Sequence, residues 1–346
     1  MKIAIDYRLA ANSNRGMARY CREITKELFS LDTENEYYLI VNKIPVDMQL
    51  PVNFSFIKIC ISNFIFAEQI SVPHIAKKYH CSVLWCPYNT FPVFLSKKIQ
   101  LFVTIHDLIF MNKPNKKETL YKRIGRLYRK IIVKKYSNRI DGYFTVSKFS
   151  NMEIQKILHL NCFLGLTVNC LSKNFVELAR QYATMEKKNY FFTVSGDSPS
   201  KNLLFLIDIF NNFLPNEKLY IAGLSCNSPL RKYQTDKIIF LPENISDKAL
   251  IEKYSSCKAF LFPSLQEGFG IPIIEAFCCH AKVISSNKTC LPEIIGERGL
   301  LFSPTDSKNF LQCIDNVDTY PFSYDVNEYI SWKKPAQIVL NSILTT

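Results

Sequence analysis

Short apolar runs recur along the chain, each followed by a stretch whose apolar residues fall three and four positions apart. The first series is KIAIDY, YYLIV, FSFIKI, SVLWC, LFVTI and GYFTV; the second is YFFTV, KLYIA, KIIFL, KAFLF, KVIS and GLLF. Runs that are apolar throughout, rather than alternating, predict strands buried on both faces. Their alternation with helical patterns predicts parallel sheets covered on both sides. Two series in one chain predict two doubly wound α/β domains. No clear strand appears between Leu164 and Asn189, where polar residues gather in ARQYATMEKKN. The expected domains are therefore 1–168 and 169–326. The final stretch VNEYISWKKPAQIVLNSI reads as a helix kinked at Pro335, and 327–346 is expected to pack back on the first domain. Doubly wound sheets bind ligands beyond the carboxyl ends of their strands, so the expected site is the cleft between the two domains.

A length of 346 residues suits two cores of ordinary size. Hydrophobic residues at 48% and charged residues at 21% fit a soluble globular protein. No apolar run reaches the roughly 18 residues that span a bilayer. The opening MKIAIDYRL is too short and is interrupted by Asp6, so it reads as a first strand rather than a signal peptide, and a cytoplasmic location is expected. Twelve cysteines lie scattered without CxxC pairs, mostly inside apolar runs such as FCCHAKV, and are expected as reduced, core-filling thiols. His74, His80, Cys81 and Cys86 match no zinc spacing, and no metal is expected.

Charge changes the picture further. Lys plus Arg number 43 against 30 Asp plus Glu, a net +13. Lys113 to Arg139 holds eleven basic residues against Glu118 alone. Within it Leu120, Ile124, Leu127 and Ile131 recur with helical spacing. One reading is a solvated basic face over an apolar stripe packed on the core. The other is a docking face for an anionic surface, membrane lipid or nucleic acid, with Lys122, Arg126, Arg129 and Lys130 as the cations. Ten net charges in one segment exceed what solubility requires.

The stretch EGFGIPIIE, residues 267–275, carries the most specific chemistry. KAFLFPSLQ before it predicts a strand and loop, and IPIIEAFCC a helix with Pro272 at its first position. Gly268 and Gly270 allow a sharp turn and a close approach of backbone to ligand. The N–H groups of the helix start form an anion site. Glu267 on the loop and Glu275 one turn into the helix would then reach opposite ends of an elongated ligand with an anionic middle, the layout of a nucleotide sugar. The alternative is a plain strand–loop–helix turn with a capping glutamate.

SLQEGFGIPIIEAFCC with SSNKTCLPEIIGERGLLFSPTD resembles the donor-binding segment of the retaining glycosyltransferases of family 4, which have the GT-B fold. That resemblance implies that Glu267 contacts the donor sugar, that the backbone of Phe269, Gly270, Ile271 and Pro272 holds the distal phosphate, and that Glu275 holds the ribose hydroxyls. RGMARYCREI resembles the family's glycine loop, with Gly16 at its key position. TIHDLIF resembles its His-Asp-Leu segment, giving His106 and Asp107, and SKNLLFLIDIF its Arg-Lys-Asn helix start, giving Lys201. HDL with TVSKFSNMEI is typical of the branch rich in mannosyltransferases. The chain departs from the pattern at Ser200 and Asp197, where basic groups are usual, and at His280 and Lys282, where small residues are usual.

The resulting expectation is a metal-independent retaining hexosyltransferase without a cofactor. It would move a sugar, mannose from GDP-mannose by branch resemblance, to a glycan or lipid-linked glycan in surface polysaccharide synthesis. His106 and Glu267 position the sugar, while Lys201 and the helix start stabilise the leaving diphosphate. The protein is expected on the cytoplasmic face of an anionic membrane, not on nucleic acid. Two other readings are a non-catalytic subunit that keeps the fold for binding, motivated by Ser200 and Asp197, and a basic nucleic-acid-binding protein. Lys201 at a helix start would be disfavoured by the dipole without a bound anion, and Asp107 reads as a loop-tying residue.

Overall fold

The computed structural model describes residues 1–12, 16–46, 48–112 and 119–345. The chain divides into unit 1, Met1–Asn169 with Trp332–Thr346, and unit 2, Cys170–Ser331.

Unit 1 holds β1 (Lys2–Asp6), β2 (Glu36–Val41), β3 (Phe54–Lys58), β4 (Val83–Cys86), β5 (Gln100–Thr104), β6 (Gly142–Thr145) and β7 (Phe163–Leu166). They form one parallel sheet in the order β3-β2-β1-β4-β5-β6-β7. Unit 2 holds β8 (Phe191–Val194), β9 (Leu219–Ala222), β10 (Ile238–Phe240), β11 (Ala259–Phe262), β12 (Val283–Ser286) and β13 (Leu300–Phe302). Its parallel order is β10-β9-β8-β11-β12-β13. Every residue of β4, β6, β11 and β12 is buried, as strands covered on both faces must be. All twelve runs read from the sequence are strands. In each sheet the strand order reverses once, between β1 and β4 and between β8 and β11. That reversal is the place where the connections on either side part and leave a crevice at the carboxyl ends.

Three expectations need correction. Leu164–Asn189 is not free of strand, because β7 starts at Phe163 and pairs with β6. Its four residues are only half-buried and include Gly165, so the run lacks the apolar weight of the others. A β-carbon at Gly165 would stand 2.6 Å from Ile338 Cγ2, which is why glycine occupies this edge position. The final helix is shorter than VNEYISWKKPAQIVLNSI: it runs Lys333–Leu344, and Pro335 lies in its first turn, where no hydrogen bond is lost and no kink arises. Residues 327–331 stay with unit 2, since Leu171 donates to the Tyr329 carbonyl at 2.7 Å and the Tyr329 ring meets Phe269 edge-on.

The helix Lys333–Leu344 returns to unit 1, packing on the helix Gly16–Leu31 and on β7 through buried Ala336, Val339, Leu340 and Ile343. All twelve cysteines are unpaired. Nine are buried, Cys162 is half-buried, and Cys60 and Cys226 are exposed. No helix among the described residues is long and apolar enough to cross a membrane.

Burial of Val339, Leu340 and Ile343 is worth about 1.5–3 kcal/mol each. Ending the chain at Ser331 should therefore strip hydrogen-exchange protection from β7 and from the helix Gly16–Leu31. Protection in β8–β13 should be unchanged; loss in both units would show that the helix supports more than unit 1.

Candidate active site

In unit 2 the chemistry gathers at the carboxyl ends of β8 and β11, the two strands that flank the reversal. After β8 the chain makes a tight turn over Pro199–Lys201 and passes through Asn202, whose φ of 54° is left-handed, before the helix Leu203–Asn212 begins. Lys201 thus lies ahead of a helix rather than in its first turn, which corrects the reading from SKNLLF. Its anion is already present: Lys201 Nζ donates to Glu267 Oε1 at 2.6 Å. The lysine also stands 5.7 Å from the centre of the Phe262 ring.

Glu267 is fixed from several sides. Ser264 Oγ donates to the same Oε1 at 2.6 Å, and the Glu267 amide donates to Thr289 Oγ1 at 3.2 Å. Leu265 N donates to the Ser200 carbonyl at 2.7 Å, stitching the loop after β11 to the turn after β8. Ser286 Oγ donates to the Ser264 carbonyl, and Cys290 Sγ reaches the carbonyls of Glu267 and Phe269 at 3.3 and 3.2 Å. The carboxylate is therefore positioned by its loop.

Gly270 caps the helix Ile271–Cys278 with a φ of 102°, a conformation that favours glycine. A β-carbon there would also stand 3.0 Å from Leu291 Cδ2. Pro272 occupies the second helical position, not the first, because Ile271 opens the helix. Phe269 is buried against Tyr329, which anchors the loop before the helix start. At this helix start Pro272 has no N–H and Ile273 N donates to the Gly270 carbonyl at 3.0 Å, so the leading backbone donor is Ile271, and the dipole adds partial positive charge. Glu275 lies one turn along and accepts from Tyr254 Oη at 3.2 Å. Burial pushes the Tyr254 hydroxyl well above its ordinary range, so it stays protonated and donates.

The departures from pattern have local explanations. Asp197 accepts from Ser228 Oγ, and Ser198 and Ser200 share a hydrogen bond at 2.8 Å. Neither brings a cation to the site. Sequence reading missed Ser264, Thr289 and Tyr254; only the S-x-x-E spacing of Ser264 and Glu267 carried a signal.

In unit 1 the carboxyl ends of β1, β4 and β5 carry the polar groups. His106 lies just beyond β5 and is buried. Its amide donates to Asn89 Oδ1 at 2.7 Å, and its ring Nε2 lies 3.0 Å from the Pro87 carbonyl. A carbonyl only accepts, so Nε2 carries the proton and Nδ1 of the neutral ring is an acceptor. Burial pushes the ring's pKa down from 6.5 to about 4, which keeps it neutral near pH 7. The Tyr20 ring packs edge-on at 4.7 Å. Asp107 accepts from the Ile109 amide at 2.9 Å, tying its loop. Gly16 opens the helix Gly16–Leu31 and is exposed, while Arg15 lies outside the described residues.

A buried charge cluster at the end of β1 was not anticipated. Arg8 pairs with Asp6 at 2.7 Å and stands 3.6 Å from Glu68 Oε1. Glu68 is buried, accepts from Thr90 Oγ1 at 2.9 Å and from Tyr128 Oη, and is pushed up to about 7 by burial. The sequence signal was the D-x-R at the end of an otherwise apolar strand.

The basic helix runs Leu120–Tyr136; Lys113–Glu118 of the basic segment lie outside the described residues. Its packed face is Ile132 and Val133 with Tyr128, not the stripe Leu120, Ile124, Leu127 and Ile131. Those four are 73%, 51%, 58% and 46% exposed, so the stripe does not cover the core. Lys122 and Lys130 are exposed. Arg126 and Arg129 turn inward instead, Arg126 Nη1 toward the Ile109 carbonyl at 3.5 Å and Arg129 over the Phe110 ring at 5.9 Å. No group of three or more His, Cys, Asp or Glu able to hold a metal ion occurs among the described residues.

Comparison with known proteins bears on unit 2 first. Residues 175–319 match the family described as glycosyl transferases group 1. This stretch is similar to that family over 145 residues. It spans most of unit 2, including Lys201, Glu267, Gly270 and Glu275. The chain is 24% identical over 245 residues to the serotype-specific mannosyltransferase WbdA of Escherichia coli, covering 62% of this chain and 28% of that protein. It thus spans less than a third of that relative's length. It is 25% identical over 286 residues to the O-antigen chain mannosyltransferase RfbU of Salmonella typhimurium, covering 78% and 74%. Sucrose-phosphate synthase from Thermosynechococcus elongatus superposes over 100% of both chains with a TM-score of 0.71 at 16% identity. The fold is that of the GT-B glycosyltransferases, two Rossmann-like parallel-sheet domains.

His106 and Glu68 give opposite pH dependences to unit 1. Folding lowers the His106 pKa, so its contribution to stability is complete above 6.5 and is lost as pH falls toward 4. Folding raises the Glu68 pKa, so stability falls as pH rises from 4.5 to 7. Each amounts to about 3 kcal/mol at about 1.4 kcal/mol per unit, and in the parent the two largely cancel. Trp85 and Trp332 both lie in unit 1, so tryptophan fluorescence during urea unfolding reads this directly. Relative to the parent, Glu68→Gln should gain stability with rising pH and His106→Gln should lose it. Shifts of the same sign would refute the assignment.

Proposed function

We propose that the protein is a retaining glycosyltransferase that moves a hexose from a nucleoside diphosphate sugar to a glycan or lipid-linked glycan acceptor. The observation that carries the reading is the Lys201–Glu267 pair at 2.6 Å, held at the strand-order reversal beside the Gly270 helix start, with Glu275 one turn along. Glu267 receives donor-sugar hydroxyls, the helix start and Lys201 receive the diphosphate, and Glu275 receives the ribose hydroxyls. WbdA and RfbU, both named as mannosyltransferases, support mannose as the sugar, and RfbU, named for the O-antigen chain, supports a surface polysaccharide as the product; GDP-mannose is the donor this reading proposes.

The chemistry needs little more than charge placement. As the glycosidic bond breaks, negative charge grows on the diphosphate while the sugar becomes oxocarbenium-like. Lys201 and the helix start meet the first, and Glu267 the second. In this reading no metal or cofactor takes part. His106, neutral near pH 7, offers Nδ1 to a sugar hydroxyl and acts by position rather than by proton transfer. The aliphatic ridge of the helix Leu120–Tyr136, flanked by lysines, seats the protein on an anionic membrane, on its cytoplasmic face. The exposed apolar side chains of this helix are Leu120, Tyr121, Ile124, Leu127 and Ile131, four aliphatic groups to one ring, a balance that suits lipid better than stacked bases.

A panel of nucleotide sugars tests the donor. GDP-mannose should raise the melting temperature most, by mass action, and mannose should pass to a lipid-linked glycan. Stabilisation without turnover by any donor would favour the non-catalytic binding subunit instead.

Two substitutions test the roles. Glu275→Ala should weaken GDP and GDP-mannose by the same factor in calorimetry, since the ribose is common to both. Loss of the donor alone would move the ribose contact elsewhere. Lys201→Ala should lower kcat roughly a hundred- to a thousandfold while raising KM less, the usual effect of removing one group that stabilises developing charge. Ser264 still holds Glu267 in that variant. Lys201→Arg should restore part of the rate, and turnover within a few-fold of the parent would assign the phosphate to another cation, Arg15 first.

A further inference from the structure

Unit 1 carries an open groove of about 710 Å³ that the proposed chemistry does not use. It is lined by residues of the segment Gln69–Lys77, by the loop Val93–Lys97 and by Arg139. Lys97 lies just before β5, and Arg139 just before β6. The groove therefore extends to the amino ends of strands whose carboxyl ends lead to His106. Gln69 ties it to the buried cluster of unit 1, its Nε2 donating to Glu68 Oε2 at 3.2 Å.

Three features define what the groove accepts. Its apolar surface is aliphatic and aromatic, with Ile70 56% and Phe94 80% exposed. Its charged and titratable lining is His74, Lys77, Lys97 and Arg139, with no carboxylate among the lining residues. Its walls are fixed. Gln69 accepts from the Val93 amide at 2.8 Å and donates to the Phe91 carbonyl at 3.0 Å and to Tyr128 Oη at 2.6 Å. Arg139 Nη2 donates to the Leu95 carbonyl at 2.8 Å. Tyr128 belongs to the basic helix, so the groove is tied through Gln69 to the inner side of the element whose outer side carries the exposed ridge.

We propose that this groove seats one anionic phospholipid of the membrane on which the ridge rests. Lys77, Lys97 and Arg139 hold the headgroup phosphate, and Ile70, Val93 and Phe94 line the first part of an acyl chain. A lining of exposed apolar side chains with three cations and no acid matches that amphiphile in both charge and polarity. A soluble polyanion would leave Phe94 and Ile70 in water, and an apolar peptide would leave the rim unpaired. The inference rests on the membrane reading above and adds a defined lipid seat to it.

The full-length protein with Phe94→Trp is mixed with vesicles of phosphatidylcholine, with or without phosphatidylglycerol, carrying brominated acyl chains. Bromine is expected to quench the residue-94 tryptophan only with phosphatidylglycerol present. Lys77→Ala with Lys97→Ala should lower vesicle affinity about fivefold per lysine. The exposed neighbours Lys78 and Lys98, which do not line the groove, serve as the charge-matched control and should matter less. Vesicle binding without quenching, or equal effects of the two lysine pairs, would overturn the lipid seat while leaving the membrane reading intact. No vesicle binding by the parent would overturn both. A lipid-independent dimer dissolved by Phe94→Ser would give the groove to a second copy and also overturn the proposal.

Discussion

A parallel sheet buried on both faces has no room for an unpaired charge along its strands, because a charge taken out of water must be paired or neutralised. Polar chemistry is forced to the strand ends, and among those ends the strand-order reversal leaves most space. Both units obey this constraint. At β8 and β11 it produces Lys201 against Glu267; at β1 and β4 it produces Asp6, Arg8 and Glu68 with the His106 cradle alongside. Each arrangement is pinned by hydrogen bonds from backbone amides, Leu265 N to the Ser200 carbonyl and His106 N to the Asn89 side chain. Rigid loops on a rigid sheet hold a carboxylate or an imidazole at one position without using up the substrate's binding energy.

The same constraint explains why the basic helix is two-faced. Its inner side reaches the buried cluster through Tyr128 and Glu68, and its outer side carries aliphatic residues in water. Rolling the helix to bury the ridge is not available: Ile124 and Leu127 could turn inward only by withdrawing Tyr128 from Glu68 and exposing Ile132 and Val133. The apolar ridge is outside because the inner side is already committed.

Strand content was legible because β-strands buried on both faces leave unbroken apolar runs, and twelve such runs stood out. β7 escaped because FLGL is only half-buried and is broken by a glycine that makes room for Ile338, far along the chain. The turn–helix signature of Gly270 and the register of Glu267 and Glu275 could be read because local spacing determines them. Lys201 was found, but its partner was not, since no local rule joins residues 201 and 267. The stripe Leu120 to Ile131 showed the right periodicity and still misled about burial. Periodicity reports that apolar residues share a face, and says nothing about whether the core or something else covers it. His106 was placed at a strand end correctly, while its neutral state follows only from burial and from the Pro87 carbonyl.

The distribution of thiols has a practical consequence. Nine of the twelve cysteines are enclosed by the cores, and the two exposed ones are Cys60 in unit 1 and Cys226 in unit 2. Maleimide dyes would therefore find one fully exposed anchor on each unit, with the half-buried Cys162, whose Sγ donates to the Ile140 carbonyl, the slower competitor in unit 1. A donor and acceptor fluorophore attached there would report the separation of the two units in solution, before and after a nucleotide is added, without any engineered residue.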